Sequence, residues 1–209
     1  GNGKGGDVYF INEMMNLAYG SIQTQPTYDA IHEYLDVDSF IDYMILNAYV
    51  GNRDWDGHNW RAARKREPGA GYLFFPWDTE FAVSHVSGGV FDPPPNFFTT
   101  SLSTNVTGKN GNRRPTGLQQ RLALNAEYRL RYADHVKAHF FNGGPITPGR
   151  SSGIWTTRSD FMKDAIVAES ARWGDFRRDV SPGRWNSSDF DLYTRDDHYL
   201  PTHDWLLGT

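Results

Sequence analysis

The chain has 209 residues and a mass of 23.8 kDa, enough for one ordinary domain with a core of its own or one lobe of something larger, which argues against two independent enzymatic domains. Lys plus Arg total 21 and Asp plus Glu total 25, for a formal charge of -4 and a pI near 6.0, so no global field recruits nucleic acid or anionic lipid. There is no cysteine, which excludes a disulfide scaffold, a thiolate zinc site, an iron–sulfur cluster and a cysteine nucleophile.

The longest apolar stretches, such as Tyr72 to Trp77, are too short to span a bilayer, and the N-terminus lacks the basic-then-apolar order of a signal peptide. A chain that begins at Gly1 and stops just after Leu206-Leu207 reads as a piece of a longer protein. Aromatic residues make up 15% of the chain beside 21 glycines, and the mean hydropathy is -0.63. Such a chain packs with few, large side chains and spends much of its length in shaped loops.

In chain order, Gly1 to Gly6 reads as a flexible polar start. A helix follows from Asp7, with Val8, Ile11, Met14, Met15 and Ala18 at helical spacing and Gly20 as its stop. A second short helix is expected from Thr27, burying Ile31, Tyr34 and Leu35, after which Asp36 caps a third. That third helix is the clearest: Val37, Phe40, Ile41, Met44, Ile45, Ala48 and Tyr49 make one apolar stripe, and Gly51 closes it as the C′ residue. The polar cluster Asn52 to Asn59 comes next, then a run from Trp60 to Arg66 with strand character, a turn at Pro68 to Gly71, and Tyr72 to Trp77 as a buried return strand delivering Asp78. Residues 84 to 117 show little periodicity and read as a long loop. One helix is expected over Leu118 to Phe141 and another from about Arg158 to Trp173, with a charged, aromatic, loop-like tail from Gly174.

The informative feature is an apolar helix running into Asn52-Arg53-Asp54, with Asn59 five residues after that Asp and a hairpin whose second strand ends at Asp78. Phosphoryl transfer needs such a set: a carboxylate near the attacking hydroxyl, and an amide and a second carboxylate to hold the magnesium ions that bridge the phosphate oxygens. Protein kinases use H-R-D-x-x-x-x-N followed by a metal-binding Asp after a short hairpin. Here the Arg, the Asp and the spacing to the Asn are kept, and Asn52 stands in place of the His.

The wording around these residues, Gly51-Asn52-Arg53-Asp54-Trp55, His58-Asn59-Trp60 and Phe75-Pro76-Trp77-Asp78-Thr79-Glu80, resembles the CotH kinase family, atypical kinases related to the bacterial spore-coat protein H. The resemblance covers roughly residues 30 to 180 and extends to Asn125, Arg129 and Asp134 and to Glu169 through Gly174. It implies a kinase-like fold that binds ATP with a divalent metal, Mg2+ or Mn2+, and phosphorylates Ser or Thr of protein partners. Carried over by position, Asp54 is the catalytic acid/base or hydroxyl orienter beside Arg53, and Asn59 and Asp78 are metal ligands that thereby bind the nucleotide. Thr79-Glu80 replaces Phe-Gly after the metal-binding Asp, so this loop lacks the glycine hinge of ordinary kinases; Glu80 is either an extra ligand or a salt-bridge partner. A glycine-rich N-terminal lobe with its nucleotide-clamping Lys has no room before Asp7, so the chain reads as a C-terminal lobe whose N-lobe is missing.

Blander readings stand beside these. Asn, Asp and Gly after a helix are ordinary turn residues, and Asp78 alone would be a surface acid at a strand end; Pro76-Trp77 is expected to pack that strand into a core. Asp56 and His58 are expected to be solvated loop residues rather than metal or substrate ligands. His135 and His139 are four apart and read as helix-surface histidines. Arg61, Arg64, Lys65 and Arg66 read as a solvated face, with phosphate or acidic-substrate contact the minority alternative. Gly1-Asn2-Gly3-Lys4-Gly5-Gly6 matches G-x-G-x-x-G without a preceding strand, and the glycosylation sequons at Asn105 and Asn186 carry little weight.

The fold expected is α+β, a protein-kinase-like C-terminal lobe, mainly helical, with a small β-hairpin bearing the catalytic and metal-binding loops. The kinase-like domain is placed at 7–180, followed by a charged aromatic extension at 181–209. The function expected is transfer of the γ-phosphoryl of ATP to a protein hydroxyl when the N-lobe is present, on a coat or surface protein, with weak or no turnover by these 209 residues alone, no nucleic-acid partner and no membrane-spanning segment. The alternatives are AMP or glutamyl transfer, or a catalytically inactive assembly module. The family resemblance suggests a bacterial spore coat, cell surface or secreted setting.

Overall fold

The structure is a computed structural model that describes residues 7–52, 55–79, 82, 83, 85–87, 90–92, 113–180 and 192–208. Two compact units divide the chain, one of residues 1–85 and 92–137, the other of 86–91 and 138–209.

In the first unit, helix α1 (Asp7–Tyr19) and helix α2 (Gln25–Ile31) precede helix α3 (Val37–Tyr49). Helix α2 begins two residues before the expected Thr27, because Pro26 fits the first turn, where a backbone N–H has no helical partner anyway. Helix α3 matches its periodicity closely. The Asp36 carboxylate accepts from the Ser39 N–H at 2.9 Å, and Phe40, Ile41, Met44 and Ile45 are fully or almost fully buried, each worth about 1.5–3 kcal/mol of burial.

Strands β1 (Trp60–Ala63) and β2 (Leu73–Pro76) pair antiparallel, Trp60 opposite Pro76 and Ala63 opposite Leu73. The residue before the return strand docks on the chain between α2 and α3: Tyr72 N–H donates to Tyr34 O at 2.8 Å, and Asp36 N–H donates to Tyr72 O at 3.1 Å. Gly71 permits that approach, since a Cβ there would lie 2.4 Å from both the Asp36 nitrogen and the Leu35 carbonyl carbon. Backbone cannot yield as a flexible side chain does. Gly71→Ala is therefore expected to destabilise the fold by about 2 kcal/mol or more; a urea midpoint equal to wild type would contradict the close approach.

The return strand differs from its expected burial. Tyr72 and Phe74 are buried, but Leu73, Phe75 and Pro76 are exposed and Trp77 is 56% exposed. A two-stranded sheet with one face on α3 buries every second residue only, so Phe74 meets Phe40 at 5.0 Å and Tyr43 at 5.7 Å between ring centroids while Phe75 faces outward. Pro76-Trp77 thus does not pack the strand end into a core.

Strands β3 (His85–Ser87) and β4 (Val90–Asp92) form a separate two-stranded sheet in what was expected to be loop. Of that stretch, 84, 88, 89 and 93–112 with the Asn105 sequon lie outside the described residues, as do Gly1 to Gly6, Glu80 and the Asn186 sequon.

The expected helix over 118–141 is two: α4 (Pro115–Leu122) and α5 (Ala126–Phe140). Asn125 makes the break. Its Oδ1 accepts from the Glu127 and Tyr128 N–H groups at 2.8 and 3.3 Å, capping α5, while its Nδ2 donates to Ile22 O at 3.1 Å.

In the second unit the expected 158–173 helix is likewise two, α6 (Pro148–Met162) and α7 (Ala165–Trp173), with Pro148 setting an earlier start. The expected loop-like tail contains two π-helical turns, Phe176–Val180 and Arg195–Tyr199, and helix α8 (Leu200–Leu207). Only Ser159 and Gly174 are buried among its described residues. Among the described residues no helix is long and apolar enough to cross a membrane.

Candidate functional site

The loop after α3 is built by the way that helix ends. Gly51 adopts φ +56, the left-handed conformation that favours glycine. Its N–H donates to Ala48 O at 3.2 Å, and the Asn52 N–H reaches back to Asn47 O at 3.1 Å, the paired bonds of a Schellman motif. The Asn52 side chain is wholly buried, and its Nδ2 donates to Asn47 Oδ1 at 3.1 Å; Asn47 in turn donates to Tyr43 O at 2.9 Å. The residue that stands where kinases carry His is thus part of a buried amide chain along α3.

Trp55 seats the far side of the loop. Its ring is buried edge-on to Tyr43 at 5.6 Å, and Trp60 stacks on Phe74 at 5.5 Å. Loop and hairpin share one aromatic cluster resting on α3. Burial pushes the Tyr43 phenol far above its usual range, and the neighbouring Asp56 charge adds to that, so Tyr43 stays neutral in this cluster.

Arg53 and Asp54 lie outside the described residues. Asn59 is buried at the entrance of β1, its N–H donating to Trp55 O at 3.1 Å. Asp78 is exposed two residues beyond β2 and holds φ +55, a left-handed conformation that Asp tolerates better than most residues. The register that pairs Trp60 with Pro76 makes Asn59 and Asp78 leave the same end of the hairpin. Beyond Asp78 the chain turns back, and the Val83 N–H donates to Val50 O. The two motifs, distant in sequence, are tied at the end of α3.

Asn59 and Asp78 offer an amide oxygen and a carboxylate, hard oxygen donors of the kind Mg2+ takes. Among the described residues nothing donates a hydrogen bond to Asp78, and its carboxylate is of the donor type that a divalent cation takes.

Several surrounding residues differ from their expected roles. Asp56 is not solvated: it is 1% exposed, and its carboxylate accepts from the Thr116 N–H at 2.8 Å and the Thr116 hydroxyl at 2.6 Å. His58 is exposed, as expected. Arg61, Lys65 and Arg66 are exposed, as expected of a solvated face, while Arg64 is half-buried. Arg61 donates to Trp60 O at 2.9 Å and covers the Trp77 ring, and Arg64 donates to Ala70 O at 3.0 Å and lies 3.5 Å over the Phe10 ring. His135, expected on an open helix surface, is held by two acids of the exposed face of α3: Asp42 at 2.7 Å from Nδ1 and Asp38 at 3.3 Å from Nε2. Arg131 pairs with the same Asp38 at 3.0 Å.

Thr116 is the residue that sequence reasoning passed over. Arg114-Pro115-Thr116 carried a signal, since proline at the first position marks a helix start and arginine is a poor cap, but nothing local names the partner.

The fold is mainly helical α+β with a small antiparallel hairpin, and it is the sequence around that hairpin that defines the class. The sequence matches the CotH kinase protein family over residues 2–191, and the chain belongs to that family. No curated protein and no solved structure matches it. Membership implies a kinase-like lobe, ATP and a divalent metal.

Proposed function

We propose that the protein transfers the γ-phosphoryl group of ATP to a Ser or Thr hydroxyl of a protein substrate, through a domain spanning 7–180. The observation that supports this reading is the hairpin register, in which Asn59 and Asp78 leave the same end, with Arg53 and Asp54 a few residues before Asn59 in the sequence. In the proposed reaction the acceptor oxygen attacks the γ-phosphorus, and the bond from that phosphorus to the β,γ-bridging oxygen breaks. ADP departs, and the hydroxyl proton passes to the Asp54 carboxylate. Asn59 and Asp78 would hold the divalent cation, which would supply charge neutralisation at the phosphate oxygens. Arg53 belongs to the same catalytic loop. The substrate proposed is a coat or surface protein in a bacterial spore coat, cell surface or secreted setting.

Mass spectrometry of a candidate substrate incubated with the protein, ATP, Mg2+ and glutamate tests the reading. An added phosphate on Ser or Thr is expected. An added AMP or glutamyl group would replace it with another transferase chemistry, and no modification together with no heat of ATP–Mg2+ binding by a protein that also carries the N-lobe would leave an assembly module.

A further inference from the structure

Asp56 lies two residues after Asp54 and three before Asn59, and it is almost completely buried although it is an acid in a loop. Helix α4 accounts for this. Its N-cap residue, Arg114, makes no side-chain capping bond, and Pro115 at the first position has no N–H. The Thr116 N–H is therefore the first donor of the helix, and it meets Asp56 Oδ1 from 60 residues away. The other carboxylate oxygen takes the Thr116 hydroxyl. A carboxylate at a helix N-terminus, accepting two short bonds, sits where the backbone dipoles favour negative charge, which offsets the cost of burying it. The opposite side of the residue is fixed too: the Trp60 Nε1–H donates to Asp56 O at 3.2 Å. Next along the chain, Gly57 faces the Arg114 guanidinium, which a Cβ would meet at 3.6 Å.

We propose that Asp56 is a positioning residue: by capping α4 it locks the loop so that Asp54 and Asn59 keep a fixed spacing relative to the acceptor hydroxyl and the metal. This rests on the phosphotransfer reading above. Catalysis by positioning is sensitive to small displacements, so loosening the loop lowers turnover more than it lowers nucleotide binding.

Thr116→Val is the sharpest test, because it keeps the capping N–H and the side-chain shape and removes only the hydroxyl. The expected result is a folded protein with a kcat lower by about tenfold or more, a smaller loss of nucleotide affinity, and faster amide hydrogen exchange across residues 52–59 with α3 unaffected. Thr116→Ser is expected to restore both kcat and protection, and Asp56→Asn, if it folds, to behave like Thr116→Val. Wild-type kcat and loop exchange in Thr116→Val would overturn the proposal, as would exchange that accelerates equally in α3 and the loop, the mark of a purely structural cap. Failure of the phosphotransfer reading looks different: the wild-type protein itself would then add no phosphate to the substrate, while loop exchange in Thr116→Val still decides whether Asp56 holds the loop.

Discussion

Asp78→Ala is expected to abolish metal-dependent nucleotide binding while leaving the fold intact. The side chain is exposed and has no described hydrogen-bond donor, so its loss opens no cavity and orphans no buried group. Its backbone, at φ +55, is one that Asn also tolerates, which makes Asp78→Asn the cleaner variant: same shape, no charge. A divalent cation that loses a carboxylate ligand loses most of its charge complementarity in the site. Changes to groups behind metal ligands already cost about 10–100-fold in affinity, so removal of a ligand itself is expected to cost at least that. Calorimetric titration with ATP and Mg2+ reads it directly, with circular dichroism confirming the fold. Wild-type affinity in both variants would remove Asp78 from the metal site and, with it, the present form of the proposed mechanism.

Asp54→Ala is expected to divide the other way, sparing nucleotide binding and removing transfer. A group that takes a proton only as the acceptor attacks contributes to the transition state and little to the ground state, so its loss lowers kcat with the KM for ATP nearly unchanged. A general base is worth about 10²–10⁴ in rate, and a decrease of that size in phosphate incorporation is the expected reading. Equal activity in Asp54→Ala and wild type would refute the assigned role. Together the two variants separate holding the nucleotide from acting on it.

The elements that were legible in the sequence are those whose causes are local. Helix α3 announced itself by an apolar stripe, an Asp36 cap three residues before its Ser39 donor, and Gly51 where the chain needs a left-handed residue. The N-R-D-x-x-x-x-N spacing and the hairpin leading to Asp78 were legible for the same reason, because turn chemistry and strand pattern act over a few residues. The helix breaks were not: apolar spacing runs on from Leu122 to Tyr128, and Asn125 becomes a cap only because its amide is fixed by Ile22 O. An apolar run such as Tyr72 to Trp77 does not say whether one face or both will be covered, and with a two-stranded sheet only Tyr72 and Phe74 went inside.

By itself, then, the sequence determined the donor types and their spacing: a carboxylate and an amide five residues apart after a capped helix, and a second carboxylate at a strand end. Composition had already removed cysteine chemistry and a global field for nucleic acid. Only the tertiary structure decided which polar residues are available and which are committed. Asp56 and Asp78 are both loop acids by composition. One is buried against the first N–H of α4, and the other stands exposed at the hairpin mouth. That difference comes from a helix end about sixty residues away meeting one carboxylate and not the other, a long-range pairing that no local pattern encodes.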